Sequence, residues 1–154
     1  MLLSRASQYT LQALIYLARQ PPDRMVLVKR MADELGLPVF YLAKLIQPPT
    51  HAGWLTTARG RGGGVRLNRG AEAITLLDIL HLTDGHRVTH ECLLGFKTCD
   101  DETACVLHSQ WQPIKQELAE GLGGYTLAAL AGAALPPWLL GAVHHVEPGT
   151  LRKH

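Results

Sequence analysis

The run RGRGGG at residues 59–64 is the feature that most restricts how this chain can fold. Four of its six residues are glycine, which adopts the positive φ angles of tight turns without steric hindrance. Two short runs of extended character flank it, WLTTA at 54–58 and VRLN at 65–68. Strands joined through such a turn pair as an antiparallel hairpin. The sequence therefore predicts a β-hairpin over residues 54–68 with the glycines at its tip.

Three helical segments precede this hairpin. Hydrophobic residues recur with a helical period over 11–18 and over 28–35, and a proline pair and Gly36 end these two helices. Pro38 opens the third segment, VFYLAKLI, which Pro48-Pro49 then interrupts. Two short helices around a tight glycine-containing turn form a helix-turn-helix, and a following hairpin makes it a winged helix. We predict a mainly α chain, with the helix-turn-helix at about 28–51 and the wing at about 54–68.

The second half of the chain is predicted to add helices around a loop. Thr75 and Asp78 form a capping box for a helix that ends near residue 83, whereas 84–104 lacks helical periodicity and is predicted as a loop. A long helix follows, ended by a glycine pair, with a narrow apolar stripe suited to pairing with another helix: Trp111, Ile114, Leu118 and Leu122. The predicted divisions are a winged-helix domain (1–83), a cysteine-rich cluster-binding loop (84–107), a dimerisation helix region (108–135) and a tail (136–154).

Charge is distributed unevenly along the chain. Residues 1–70 contain ten basic and three acidic residues, a net charge of +7. Residues 71–154 contain five basic and ten acidic residues, a net charge of −5, so the total of +2 conceals the division. A strongly basic winged helix indicates a polyanion as its partner.

Five residues of this basic half are candidates for contacts with double-stranded DNA. A recognition helix fits the major groove, and Tyr41, Lys44 and Gln47 lie on the predicted outer face of the third helix. Arg59 and Arg61 flank a glycine at the wing tip, where they can contact phosphates or the minor groove. RGRGGG does not match a phosphate-binding nucleotide loop, because no Gly-Lys-Ser/Thr sequence ends it.

All three cysteines of the chain fall within fourteen positions, as Cys92-x6-Cys99-x5-Cys105, and His108 follows after two intervening residues. An odd number of cysteines does not form a complete set of intrachain disulfides, which excludes a disulfide-stapled module. Three thiolates and an imidazole suit either zinc or iron–sulfur iron. The spacing does not separate these two kinds of site.

The chain resembles the winged-helix regulators that include the iron–sulfur cluster regulator IscR and the nitric-oxide-sensitive repressor NsrR. The resemblance covers about residues 1–135 and rests on YTLQALIYLA, LVKRMADELGLPVFYLAKLIQ, HAGWLTTARGRGGGVRL, ITLLDIL, CVLHSQW and YTLAAL. It implies a homodimeric, DNA-binding transcriptional regulator, a repressor, whose operator binding an iron–sulfur cluster controls in response to iron–sulfur status, redox state or nitric oxide. A zinc-stabilised or metal-free, thiol-based winged-helix regulator is the alternative.

The same resemblance implies the cluster ligands. Cys92, Cys99 and Cys105 fall on the thiolate ligands of the family, and His108 falls on the histidine that completes a 2Fe–2S site in IscR-like members. A 4Fe–4S cluster is the alternative cofactor, and zinc is less favoured. Other members take the fourth ligand from the partner's first helix, but residues 1–22 contain no Asp, Glu, His or Cys, which leaves His90 and Glu91 as competitors. Ala43 stands where IscR has an acidic residue on its recognition helix, so the same operator preference is not expected.

Several other classes are disfavoured. The sequence offers no nucleophile–base pair or carboxylate dyad, so we predict that the chain is not an enzyme. Residues 121–146 contain no Lys, Arg, Asp or Glu, but Pro136-Pro137 interrupts them, and a membrane-tethered regulator is the weaker interpretation. The N-terminus has no hydrophobic signal core, so we predict a cytoplasmic protein without a membrane partner.

Overall fold

The computed structural model describes residues 3–95, 102 and 104–134. Within these ranges the chain is mainly helical, with one two-stranded antiparallel sheet, as the sequence predicts. The elements in chain order are α1 (Arg5–Ala18), α2 (Val28–Leu35), α3 (Val39–Leu45), α4 (Gln47–His51), β1 (Leu55–Ala58), β2 (Gly64–Leu67), α5 (Leu76–Asp84), α6 (Arg87–His90), α7 (His108–Gly124) and α8 (Leu127–Gly132).

Helix α1 lies at the centre of the hydrophobic core and contacts α2, α3, α5, α8 and β2. Its apolar face packs against the buried sides of those elements, which is why the periodic residues of this helix dominate the core. The side chains that are almost completely buried include Leu14, Ile15, Met31, Leu42, Val65, Ile74, Ile79 and Leu127. One contiguous core therefore joins the helix-turn-helix, the wing and α8.

The helix-turn-helix is formed by α2 and α3. Gly36 ends α2 in the left-handed conformation, at φ 65°, and Pro38 caps the start of α3. The predicted third helix is in fact two helices, because α3 ends at Leu45 and α4 begins at Gln47. Proline lacks a backbone N–H, so the pair Pro48-Pro49 is tolerated only in the first turn of a new helix.

The predicted hairpin is confirmed, with the register Leu55↔Leu67 to Ala58↔Gly64. A third segment joins it, since Val26 exchanges two backbone hydrogen bonds with Val65, at 2.9 and 2.8 Å. Gly64, at φ 144°, lies against this segment, and a Cβ atom there would collide with the carbonyl oxygen of Val26. The wing is therefore attached to the core along one edge.

The capping box of α5 is also confirmed. The hydroxyl of Thr75 accepts from the N–H of Asp78 at 3.1 Å, and the Asp78 carboxylate accepts from the N–H of Thr75 at 2.9 Å. The prediction of an unbroken loop over 84–104 is wrong in part, because Asp84 ends α5 and the single-turn helix α6 lies inside this range. Four residues are too short for a helical period to be recognised.

Helix α8 packs on the winged helix. Leu127 is buried in the core, and its N–H donates to the carbonyl of Ile74 at 2.7 Å. The guanidinium of Arg19 donates to the carbonyls of Ala131 and Ala133, both at 2.8 Å, which holds the end of α8 beside the end of α1. Helix α8, which lies in the predicted dimerisation region (108–135), thus forms part of the core of the winged-helix domain.

Helix α7 buries few of its own residues. Only His108 and Lys115 are buried, two turns apart on one face, whereas Ile114 of the predicted apolar stripe is 51% exposed. Trp111, Leu118 and Leu122 are partly exposed. No helix within the described ranges has the length and apolar character to cross a bilayer. Cys99 and the tail at 136–154 lie outside the described residues.

Candidate metal centre and nucleic-acid interface

Two of the predicted thiolate ligands lie next to each other. Cys92 follows α6, Cys105 precedes α7, and their Sγ atoms are 3.8 Å apart. Cys92 is buried and Cys105 is partly exposed. The indole Nε1 of Trp111 on α7 donates to the carbonyl oxygen of Glu91 at 3.3 Å, which fixes the residue before Cys92 against the helix after Cys105. The packing of α6 on α7 therefore brings together two cysteines that are thirteen residues apart.

His108 is the first residue of α7 and is only 8% exposed. The backbone N–H of His108 donates to the backbone carbonyl oxygen of Cys105 at 2.9 Å, so a single turn links the two residues. It also lines an open groove along α7 with Ser109, Gln112, Pro113 and Gln116. Imidazole is a common metal ligand, so His108 is a candidate ligand by its chemistry and by its position one turn after Cys105.

The two thiols pass a simple test of fit to a metal. Two sulfur ligands that are each about 2.3 Å from one tetrahedral ion are about 3.8 Å apart. The separation of Cys92 and Cys105 equals that value. Among the described residues, however, no group of three or more His, Cys, Asp or Glu side chains could hold one ion, so His108 does not form a three-ligand group with these cysteines.

The competing fourth ligands are differently placed. Glu91 is exposed and forms an ion pair with Arg87 at 3.1 Å. His90 is exposed too, and its Nδ1 lies 2.7 Å from the hydroxyl of Thr89. His108 is the most buried of the three candidates.

Three histidines of α5 and the α6 region, His81, His86 and His90, lie close together, which the sequence did not indicate. The rings of His81 and His86 are 4.2 Å apart between centroids, and those of His86 and His90 are 5.2 Å apart. Burial lowers the pKa of His81, and the positive charges that His86 and His90 can carry lower it further. The imidazole of His81 is thereby kept neutral over a wider pH range.

The predicted residues of the recognition helix have unequal roles. Lys44 is exposed in the last turn of α3, and Gln47 is exposed as the first residue of α4 rather than on α3. Tyr41 is half-buried because its ring packs edge-on against Tyr9 of α1, at 5.9 Å between centroids. Tyr41 therefore connects the recognition helix to α1 as well as facing outward.

The predicted wing residues are at the tip of the hairpin. Arg59 and Arg61 are exposed on either side of Gly60, whose φ is 88°. Their cationic side chains extend from the basic winged helix, where they can approach a phosphate backbone. The exposed basic residues of α3 and the wing form a candidate nucleic-acid interface.

Comparison with known proteins decides the family. A family model for Rrf2, described as an iron-dependent transcriptional regulator, matches residues 3–133. This chain belongs to the Rrf2 family. Like other Rrf2 proteins it is a DNA-binding transcriptional regulator and not an enzyme, as predicted.

Individual Rrf2 relatives are similar over most of their length. Protein aau3 of Rhizobium meliloti (strain 1021) is 33% identical over 152 residues, which cover 97% of this chain and 98% of aau3. The structure of CymR, described as the global cysteine regulator of B. subtilis, has a TM-score of 0.71 at 28% identity and covers 84% of this chain and 95% of CymR. T. potens IscR has a TM-score of 0.65 at 27% identity, covering 83% of this chain and 84% of IscR.

Proposed function

We propose that this Rrf2 regulator is a cytoplasmic, homodimeric repressor whose affinity for operator DNA is controlled by an iron–sulfur cluster. The ligands are Cys92, Cys99, Cys105 and His108, and the cluster is 2Fe–2S, with 4Fe–4S as the alternative. The observation that carries the proposal is the 3.8 Å separation of the Cys92 and Cys105 sulfur atoms at the junction of α6 and α7. On the DNA side, the proposed contacts are Tyr41, Lys44, Gln47, Arg59 and Arg61.

Two observations favour iron over zinc. The matching family model is described as iron-dependent. The cysteines are separated by six and five residues, whereas structural zinc sites more often contain a close C-x2-C pair. When bound to three thiolates and a neutral imidazole, a 2Fe–2S cluster supplies a site charge that changes by one unit on reduction.

The chain offers a route from the cysteine-rich segment to the recognition helix. Asp84 lies where α5 ends and the cysteine-rich segment (84–107) begins, and it accepts hydrogen bonds from Ser4, the N-cap of α1, and from Ser7 within α1. Two residues after Ser7, the ring of Tyr9 packs on Tyr41 of α3. A shift of the cysteine-rich segment that moves Asp84 would therefore be transmitted through α1 to the recognition helix α3.

The test begins with anaerobic purification of the full-length protein, followed by absorption spectra and counts of iron and acid-labile sulfide. We expect a coloured protein with two irons and two sulfides per chain, and DNA affinities that differ at least tenfold between the holo and apo forms. A colourless protein that contains zinc would overturn the iron–sulfur part of the proposal. Equal DNA affinity of both forms would overturn the control by the cluster.

A metal-free thiol sensor is the second candidate, and the same pair of sulfur atoms supports it. Cys92 and Cys105 would form a disulfide by losing two electrons and two protons to a peroxide, which is reduced to water. Mass spectrometry after trypsin digestion distinguishes the candidates. A Cys92–Cys105 disulfide that forms in iron-free protein on oxidation, together with a change in DNA affinity when it forms, favours the thiol sensor.

A further inference from the structure

Phe40 is an aromatic side chain that lies outside the core of the winged helix. It is the second residue of α3, and its side chain is 88% exposed. Val39 beside it is also exposed, whereas Leu42 and Leu45 of the same helix are buried. Exposed apolar side chains concentrated at one end of a helix indicate a contact surface for a partner.

The position of Phe40 and the charge around it identify that partner as DNA. Helix α3 is the second helix of the helix-turn-helix, whose N-terminal residues face the base edges when the helix lies in the major groove. Lys44 is exposed one turn later and so lies on the same face of α3. Residues 1–70, which contain the helix-turn-helix and the wing, have a net charge of +7, complementary to the phosphate backbone on either side of the groove.

The chemistry of the side chain then specifies which base it contacts. A benzyl group has no hydrogen-bond donor or acceptor, and the apolar feature that base pairs present in the major groove is the C5-methyl group of thymine. We propose that Phe40 packs against thymine methyl groups in each operator half-site and selects T·A pairs opposite the start of α3. This inference rests on the proposed DNA-binding surface and is independent of the cluster.

The test replaces the methyl group without changing base pairing. Duplexes that bind the full-length protein are selected from a random library, in separate selections with its holo and apo forms, and each thymine of the selected site is then replaced by uracil. We expect one uracil position in each half-site to weaken wild-type binding about fourfold, the effect of one lost methyl contact. Phe40→Ala should weaken binding to the thymine duplex by at least that factor and should bind the thymine and uracil duplexes equally.

Lys44→Ala is the matched control on the same face of α3. It should weaken binding to both duplexes by the same factor and keep the preference for thymine. Circular dichroism checks that Phe40→Ala, a change at an exposed position, is folded. The proposal is overturned if no uracil position weakens wild-type binding, or if Phe40→Ala keeps the full preference for thymine. If neither the holo nor the apo form of the wild-type protein selects a sequence, the proposed DNA-binding surface itself is overturned.

Discussion

The hydroxyl of Ser7 donates a hydrogen bond of 2.6 Å to the carboxylate of Asp84, which is 77 residues later in the chain. The same oxygen of Asp84 accepts from the backbone N–H of Ser4 at 3.2 Å, so a negative charge lies at the N-terminus of α1. Burial raises the pKa of Asp84, but the hydrogen bonds from Ser4 and Ser7 outweigh it, and the pKa lies below its ordinary value of 3.8. The bond therefore joins α1 to the end of α5 through an ionised carboxylate.

This relationship predicts a pH-dependent loss of stability. Ser7→Ala should lower the free energy of unfolding by about 1–2 kcal/mol at pH 7, because Asp84 loses a charge-assisted hydrogen bond. Since the folded-state pKa of Asp84 is depressed, its stabilisation is present above about pH 4 and is lost as the pH falls below that value. Urea unfolding of the metal-free full-length chain between pH 7 and pH 3 measures both effects.

Thr10→Val is the control on the same helix. The buried hydroxyl of Thr10 has no hydrogen-bond partner among the described residues, so replacing it with a methyl group should leave stability unchanged or raise it by about 1 kcal/mol. A loss of stability in Thr10→Val as large as that in Ser7→Ala would contradict the assigned role of the Ser7–Asp84 bond.

A second prediction concerns the base of the wing. Gly64→Ala should destabilise the protein by about 2–4 kcal/mol and abolish specific DNA binding, because the new Cβ atom collides with the backbone of Val26. Gly60→Ala is the control, since Gly60 also has a positive φ but has no atom within 4 Å of such a Cβ. Gly60→Ala should cost about 1 kcal/mol, and equal losses for both variants in urea unfolding would refute the collision.

The third prediction tests the basic interface. Each of Lys44→Ala, Arg59→Ala and Arg61→Ala should make the slope of log K against log salt concentration less steep by about two, because one phosphate contact is removed from each protomer of the proposed dimer. Fluorescence anisotropy at several salt concentrations measures the slope. Arg87→Ala removes an exposed cation on α6, outside the winged helix, and should leave the slope unchanged. Identical slopes for wild type and all three variants would eliminate these residues as phosphate contacts.

The fourth prediction concerns the fourth cluster ligand. His108→Cys should lower the reduction potential of the cluster, because a thiolate donates electron density more strongly than a neutral imidazole. Spectroelectrochemistry under anaerobic conditions measures the potential. The variants His90→Ala and Glu91→Ala should retain both the potential and the absorption spectrum of the wild-type protein. A potential that is unchanged or higher in His108→Cys argues against ligation by His108.

The fifth prediction concerns the homodimer. Ile114→Lys should convert the dimer into a monomer without lowering the stability of the single chain, because this stripe residue is half exposed in one protomer. Gln116→Lys adds the same charge two residues later, on the other side of α7, and should remain dimeric. Light scattering coupled to size-exclusion chromatography measures the mass. A dimeric Ile114→Lys protein would exclude this stripe from the interface.

The local features of the fold could be read from neighbouring residues. The capping box of Thr75 and Asp78, the glycine that ends α2 and the hairpin at the glycine run each depend on a few adjacent side chains and φ angles. The same applies to the break between α3 and α4, which the proline pair marks. Helix α6 was missed because a single turn has no detectable period.

The sequence by itself determined a winged helix with a basic surface, a cysteine-rich segment and a long helix after that segment, because helical periods, turn glycines and charge are local properties. Only the tertiary structure decided which distant residues meet. It placed Cys92 beside Cys105, Asp84 at the start of α1, and Val26 on the edge of the wing. Such pairs depend on how helices from different parts of the chain pack around one shared core, and this packing is set by the combined burial of many side chains rather than by any local pattern.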